Sequence, residues 1–92
     1  MEDEEFEWDD AKAAANIKKH GIAFEDAKQV FGDPLARIED DLSEDYGEDR
    51  LLATGLVAGR LLTVIFVERG TRVRIISARQ ANAHERRTYH RS

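Results

Sequence analysis

The 92-residue chain contains no cysteine. This excludes a disulfide framework, a thiol nucleophile and a cysteine-type zinc site. Unbroken apolar runs are also short, as in Val64–Val67, so no segment is long enough to span a membrane. The acidic first five residues are followed by no apolar stretch, and we therefore expect no signal peptide. Together these absences predict a cytoplasmic protein.

Lysine is missing from the last third of the chain, where arginine is abundant. Residues 60–92 hold eight arginines and two acidic residues, a net charge of +6, whereas residues 1–59 hold six basic and seventeen acidic residues, a net charge of −11. Guanidinium groups suit bidentate contact with phosphate or carboxylate. The asymmetry predicts a surface for a polyanion or an acidic protein, or else internal neutralisation of the two halves. Because the whole chain is net −5, any nucleic-acid binding must be local.

Length and patterning predict one α+β domain with a mainly antiparallel sheet. We expect residues 1–5 to form a disordered acidic tail and residues 6–92 to form the domain. The helices are expected from Asp9 or Asp10 to about His20, over Phe24–Phe31, and from a capping box at Asn82–Glu85 to the C-terminus. The strands are expected at Phe6–Trp8, Leu35–Ile38, Arg50–Val57, Arg60–Glu68 and Arg72–Arg79, with an acidic loop over Glu39–Asp49. Turn signals at residues 58–59 and 70–71 predict consecutive hairpins, with the doubly apolar run Leu61–Val67 as a central strand.

Alternation along the last strand separates two sets of side chains. The set expected in the core is Val73, Ile75 and Ser77, and the set expected on the open face is Arg72, Arg74 and Ile76. Arg79 has core parity, but it lies where the strand ends and can reach past the edge. Arg74 and Arg79 are therefore candidates to bind phosphate. The alternative for all three arginines, and above all for Arg72, is ordinary solvated strand charge.

The first helix offers an acid/base candidate. His20 shares an apolar stripe with Ala13 and Ile17, and a histidine side chain exchanges protons near neutral pH. The alternative for His20 is a partly buried residue at the end of the helix. The opposite face of the helix carries Lys12, Asn16 and Lys19 at helical spacing.

The terminal helix is rich in cationic and aromatic side chains. Its cationic residues form a solvated face in the simplest interpretation, and in the alternative Tyr89 stacks on a base or contacts a phosphate. The sequence shows no metal-ligand spacing, calcium loop, glycine-rich phosphate loop or dinucleotide-binding pattern. The residue inventory matches RNA cleavage by the substrate's own 2′-hydroxyl, since the protein then only has to orient the RNA, neutralise the phosphate and transfer protons.

Several short motifs spread along the chain are shared with one known family. They are Phe6–Asp9, Lys12, Asn16, Lys19–Gly21, Val30–Ala36, Gly59–Leu62, Glu68–Gly70 and Arg74–Arg79. In this combination the chain resembles the BrnT family of toxins from type II toxin–antitoxin pairs. The resemblance implies a RelE-like fold and a ribonuclease that blocks translation. It also implies neutralisation by a BrnA-like antitoxin, whose ribbon-helix-helix domain would let the complex repress its own operon.

The resemblance also carries expected site residues. The candidates for catalysis are His20, Glu68, Arg74, Arg79 and Tyr89, with His20 or Glu68 transferring protons, the two arginines on phosphate, and Tyr89 on a base or phosphate. The candidates for RNA binding are Lys19, Arg72, Arg86 and Arg87. No metal and no cofactor are expected. Departures from the family pattern are Ala23 for a capping serine, Gln80 for an arginine, and Ala83 and His84 near the start of the terminal helix.

Two other functions stay open from the sequence. The first is a non-catalytic or inactivated interaction module that only binds an antitoxin-like partner. The second, a DNA-binding regulator acting alone, is disfavoured because the chain has no helix-turn-helix or ribbon pattern and is net acidic. Operator DNA is expected to be contacted only through the antitoxin.

Overall fold

The protein builds its fold on one five-stranded sheet with helices on both faces. A computed structural model describes residues 1–42 and 49–91. The elements in chain order are β1 (Phe6–Glu7), α1 (Asp10–His20), α2 (Phe24–Ala27), a 3₁₀ helix (Lys28–Gly32), β2 (Arg37–Asp40), β3 (Leu51–Val57), β4 (Arg60–Arg69), β5 (Arg72–Gln80) and α3 (Ala83–His90). The strand order is β1-β5-β4-β3-β2, and every pair is antiparallel except β1 with β5. The predicted α+β class is confirmed, as is the central position of β4.

Local signals in the sequence determine where most elements begin and end. Asp9 caps α1 by accepting hydrogen bonds from two backbone amides of its first turn, and Gly21 ends that helix in the left-handed region with φ of 71°. The β3–β4 hairpin turns through Ala58 and Gly59, with φ of 49° and 81°. Two positive φ values in a two-residue turn match the right-handed twist of the strands, as the turn signal predicted.

The second helix differs from its prediction. The stretch expected to be one helix over Phe24–Phe31 is α-helical only as far as Ala27, and Lys28–Gly32 continues as a 3₁₀ helix. Ala23 supplies no side-chain cap, as expected. Packing accounts for the tighter turn: Val30 is fully buried, and the Phe31 ring lies edge-on to Phe66 with centroids 5.0 Å apart.

The acidic segment before β3 also differs. The strand expected at Leu35–Ile38 forms instead at Arg37–Asp40, because Asp33 holds the preceding residues in a turn through its backbone carbonyl and side chain. Glu39 and Asp40 therefore belong to β2 and not to the predicted loop. Residues 43–48 of that loop lie outside the described residues.

The two faces of the sheet carry different elements. The first face packs against α1, α2 and the 3₁₀ helix around a core that includes Trp8, Phe24, Leu62, Val64, Phe66 and Ile75. On the second face, α3 packs through a smaller cluster of Leu61, Ala81 and Tyr89. Arg37 Nε donates to the Thr88 carbonyl, 3.1 Å away, at the C-terminal end of α3. The capping box expected at Asn82 and Glu85 is present.

A bulge in β5 corrects the predicted alternation. Phe66 pairs with Ile75, but Ile65 pairs with Ser77, so Ile76 is an extra residue in β5. Beyond this bulge, Ala78 lies opposite Val64 and faces the core on the first face of the sheet. Ser77 and Arg79 therefore face the second side of the sheet. The predictions of core parity for these two residues were wrong.

The first five residues make hydrogen bonds in the structure. Trp8 N donates to the Met1 carbonyl at 2.9 Å, and the Met1 ammonium donates to the Trp8 carbonyl at 3.0 Å. The disordered tail stays a prediction, which the backbone amide relaxation of residues 2–5 would check.

Candidate functional site

Two depressions share Ser77 of β5 as a lining residue, one on the second side of the sheet and one between α1 and β5. The larger, which we call the sheet groove, has a volume of about 710 Å³ and a floor of Leu52, Ile65 and Ser77. Its walls come from β2, Asp41 and Leu42, Arg50, Arg79 and the start of α3. The smaller, which we call the helix groove, has a volume of about 200 Å³ and lies between α1 and β5. The residues lining it are Lys12, Ala15, Asn16, Lys19, His20, Ile76 and Ser77.

The ionisable side chains that line the helix groove are all basic. Lys12, Lys19 and His20 line it, and no acidic residue does. In the part of the chain that the structure describes, neither lysine is in an ion pair. The last turn of α1 thus presents Lys19 and His20 beside the Ser77 end of β5, which is suited to an anionic ligand.

Asn16 fixes α1 to β5 beneath this groove. It is only 6% exposed. Its Oδ1 accepts from Ala78 N and Ser77 Oγ, both at 3.1 Å, and its Nδ2 donates to the carbonyls of Ala78 and Ile22, both at 2.9 Å. β1 pairs with β5 at Val73 and Arg74 and then ends. Further along β5, the Asn16 side chain supplies the hydrogen-bond partners of the Ala78 backbone.

Arg79 and Glu85 form an ion pair in the wall of the sheet groove. Arg79 Nη1 lies 2.7 Å from Glu85 Oε1, and Nη2 lies 2.9 Å from Oε2. Glu85 is 3% exposed and also accepts from Thr63 Oγ1 and Asn82 N, both at 2.9 Å. Burial by itself would raise the pKa of Glu85, but the hydrogen bonds from Arg79, Asn82 and Thr63 outweigh it and lower that pKa below the usual value of 4.5.

The other arginines of β5 have acidic or backbone partners near the N-terminus. Arg74 Nη1 lies 2.7 Å from Glu7 Oε2. Arg72 Nε donates to the Asp3 carbonyl at 2.6 Å, and its Nη2 lies 3.7 Å from Glu2. Cross-strand pairing places Arg74 opposite Val67 and Arg79 opposite Thr63, so the two arginines occupy different ends of the sheet face.

Tyr89 is a buried residue that forms a hydrogen bond within the fold. It is 8% exposed, and its hydroxyl donates to Asp33 Oδ2 at 2.6 Å. The same carboxylate accepts from the amides of Leu56 and Leu35. The hydrogen bond from Tyr89, followed by those from the two amides, lowers the pKa of Asp33, and the bond to Asp33 raises the pKa of Tyr89.

The remaining candidates lie apart from the two grooves. Glu68 is exposed and pairs with Val73, five residues along β4 from Thr63 and so roughly 16 Å away. Arg86 and Arg87 are exposed on α3. The structure thus groups Lys19 and His20 in one groove and places Arg79 in the adjoining groove. It does not bring Glu68, Arg74 or Tyr89 to them.

Sequence reasoning missed three residues of this region. Ser77, which joins the two grooves, was assigned to the core because nothing in the sequence signals the bulge. Glu85 was interpreted only as part of a capping box, and its position six residues after Arg79 gave no sign of the ion pair. Asn16 had one usable signal: a polar residue on a helix face next to alanines is a candidate for a buried hydrogen-bonding role.

Residues 1–42 and 49–91 contain neither a membrane-spanning helix nor a cluster of metal ligands. No helix there is long and apolar enough to cross a membrane. No three histidine, aspartate or glutamate side chains there converge as metal ligands would.

Comparison with protein families places the chain. The model of the ribonuclease toxin BrnT of type II toxin–antitoxin systems matches residues 8–85. The chain belongs to the BrnT family. Comparison with curated proteins returns no match. The matched region includes both grooves of this BrnT chain and ends at Glu85, before Arg86, Arg87 and Tyr89. A toxin of a type II system implies an antitoxin partner, so the fold must also offer a surface to another protein.

Proposed function

We propose that this BrnT protein is a metal-independent endoribonuclease that inhibits translation. The observation that carries the proposal is the juxtaposition of the cationic helix groove, with Lys19 and His20, and the Arg79 wall of the sheet groove across Ser77. A phosphodiester lying over Ser77 would be flanked by cations from both sides.

In the proposed reaction the nucleophile belongs to the RNA. The 2′-oxygen forms a bond to the adjacent phosphorus while the bond from phosphorus to the 5′-oxygen breaks. A base removes the 2′-hydroxyl proton, and an acid protonates the departing 5′-oxygen. The products are a 2′,3′-cyclic phosphate and a 5′-hydroxyl. Because the RNA supplies the nucleophile, no metal is required to generate it.

Of the two proton-transfer candidates, His20 is favoured over Glu68. His20 lines the groove that adjoins Arg79, whereas Glu68 lies near the far end of β4. Arg79 would contact the phosphate, and Lys19 would bind the RNA backbone. Arg72, Arg74, Arg86 and Arg87 would act at longer range by attracting RNA.

The regulatory part of the proposal follows from membership of a toxin–antitoxin family. A BrnA-like ribbon-helix-helix antitoxin would neutralise the toxin in the cytoplasm, and the complex would bind operator DNA through the antitoxin. The proposed fold relationship is to RelE-like toxins.

Growth arrest tests the activity directly. We expect induced expression of the wild-type chain to stop growth and expression of Arg79→Lys to relieve the arrest, since lysine lacks the bidentate fork. Lysine is a better substitution than alanine, because removing the charge next to buried Glu85 would cost roughly 3–5 kcal/mol and unfold part of the population. Glu25→Gln, at an exposed residue that lines neither groove, is the control and should arrest growth like the wild type.

RNA cleavage by the purified protein is the biochemical test. With a chelator present, RNA fragments should end in a 2′,3′-cyclic phosphate detectable by mass spectrometry. Intact RNA together with harmless expression would refute the ribonuclease.

One observation favours the alternative, a non-catalytic module that binds an antitoxin-like partner. The sheet groove carries four carboxylates, Glu39, Asp40, Asp41 and Glu85, against two arginines, Arg50 and Arg79. Such a surface suits a cationic protein segment better than RNA. Under this alternative the chain would bind its antitoxin tightly and have no effect on growth.

A further inference from the structure

Glu85 is a heavily hydrogen-bonded carboxylate in the wall of the sheet groove. It accepts four hydrogen bonds, from Thr63 Oγ1, Asn82 N and both Nη atoms of Arg79. Thr63 Oγ1 is itself 2.8 Å from Thr54 Oγ1, both threonines being buried. The carboxylate therefore has its position set from β4 and from the first turn of α3 as well as by Arg79.

The contact with Glu85 uses one particular edge of the Arg79 guanidinium. Nη1 and Nη2 form the end-on pair of donors, and each meets one oxygen of Glu85. Nη1 has a second acceptor in the Gln80 carbonyl, 3.3 Å away. Nε has no hydrogen-bond partner in residues 1–42 and 49–91. The side-on edge, made by Nε and the other hydrogen of Nη2, therefore has no acceptor among the described residues.

A guanidinium can bind two anions at once through these two edges, because its five N–H donors lie in one plane. We propose that Glu85 is a positioning residue that holds the end-on edge of Arg79, so that the side-on edge is aimed at the phosphodiester undergoing cleavage. This inference rests on the proposed ribonuclease function. Glu85 itself does not touch the RNA. The ion pair in the groove wall then serves catalysis and does not merely neutralise Arg79.

The proposal is tested by a double-mutant cycle on RNA cleavage with Glu85→Gln, Arg79→Lys and the two together. Glutamine keeps the size of the side chain and can still accept from Thr63, but it loses the charge and one acceptor of the fork. We expect kcat to fall on the order of ten- to a hundredfold in Glu85→Gln with little change in KM, since misorientation impairs the reacting geometry more than binding. The double variant should lose no more than Arg79→Lys alone.

Glu25→Gln removes the same charge from an exposed ion pair with Lys28 and should leave kcat unchanged. If the two losses multiply in the double variant, Glu85 does not act through Arg79. If Glu85→Gln cleaves faster or binds RNA more tightly, Glu85 competes with phosphate, and the positioning role is overturned.

A second readout separates this proposal from the ribonuclease itself. Nitrogen-15 NMR of the Arg79 guanidinium should show slow rotation in the wild type and fast rotation in Glu85→Gln, under conditions where circular dichroism shows both to be folded. Adding a short RNA with 2′-O-methyl groups, which cannot be cleaved by this route, should shift the Arg79 Nε resonance in the wild type. Restricted rotation without a shift would overturn the phosphate-directed role. Intact RNA in the cleavage assay despite a shift would instead refute the ribonuclease.

Discussion

At the scale of single residues, Asn16 takes the place of a missing strand partner. Its amide pairs with both the N–H and the carbonyl of Ala78, as a neighbouring strand would. A primary amide has the donor and acceptor geometry of a peptide group, so one side chain can satisfy a strand edge that would otherwise be buried unpaired. The base of the helix groove therefore depends on one polar side chain.

We expect Asn16→Ala to lower the free energy of unfolding by roughly 1–3 kcal/mol, because it leaves the buried polar groups of Ala78 without their partner. Urea unfolding followed by circular dichroism would measure this. Lys12→Ala, one turn earlier on the same helix and exposed, is the matched control and should change stability by less than about 0.5 kcal/mol. An equal effect in both variants would contradict the role of Asn16.

Glu85 predicts a pH dependence of stability. Its pKa is lowered in the folded state, so its contribution is present above the unfolded value, near 4.5, and is lost as the pH falls through the folded value. We expect the free energy of unfolding to drop as the pH falls below about 5, and to drop less steeply in Glu85→Gln. The lowered pKa values of Asp3, Asp9 and Asp33 account for the decline that remains in the variant. Parallel curves from chemical unfolding would contradict the prediction.

At the scale of elements, α3 is held to the sheet at both of its ends. The N-terminal end is tied by Glu85 to Thr63 and Arg79, and the C-terminal end by Tyr89 to Asp33 and by the Thr88 carbonyl to Arg37. Arg79 can lie in a wall between β5 and α3 only while the helix is docked. The docking of α3 is thus a condition for the candidate site.

Tyr89→Phe separates the structural use of this tyrosine from a direct role with RNA. Removing the hydroxyl deletes the hydrogen bond to Asp33, so we expect a lower Tm and faster amide hydrogen exchange in α3, with RNA cleavage retained at temperatures where the protein is folded. Thr88→Val, on the same helix, is a control for a lost hydroxyl without the Asp33 contact. A large loss of kcat with unchanged exchange would place Tyr89 on the substrate.

At the scale of the whole molecule, the charge asymmetry of the sequence is only partly kept on the surface. Arg72, Arg74 and Arg79 come from the basic last third, and each lies close to an acidic side chain. Lys12 and Lys19 come from the acidic first part, yet they line the groove that has no acid. The fold therefore places two lysines of the acidic part in a groove without acids, while three arginines of the basic part lie beside acidic side chains.

RNA affinity should consequently fall steeply with salt, with a slope that depends on this lysine pair. Each contact between a protein cation and the phosphate of a single strand contributes about −0.7 to the slope of log K against log salt concentration. We expect Lys19→Gln to reduce the slope by about this amount. Lys28→Gln, a lysine ion-paired with Glu25, should not alter it. A flat salt dependence of the wild type would show that RNA is not bound through these cations.

The sequence by itself indicated the family through motifs spread along the chain, and it determined the element order, a cap at Asp9 or Asp10, the two hairpin turns and the α3 capping box. The caps and turns depend on residues close together in the chain, whose conformational preferences act locally. Only the tertiary structure decided the bulge at Ile76, the pairing of Asn16 with Ala78 and the ion pair of Arg79 with Glu85. These depend on how distant segments pack: the register between β4 and β5, the edge left by a two-residue β1, and the docking of α3. The candidate site depends on these tertiary contacts. The sequence could therefore indicate candidate residues, but it could not show which of them lie close together.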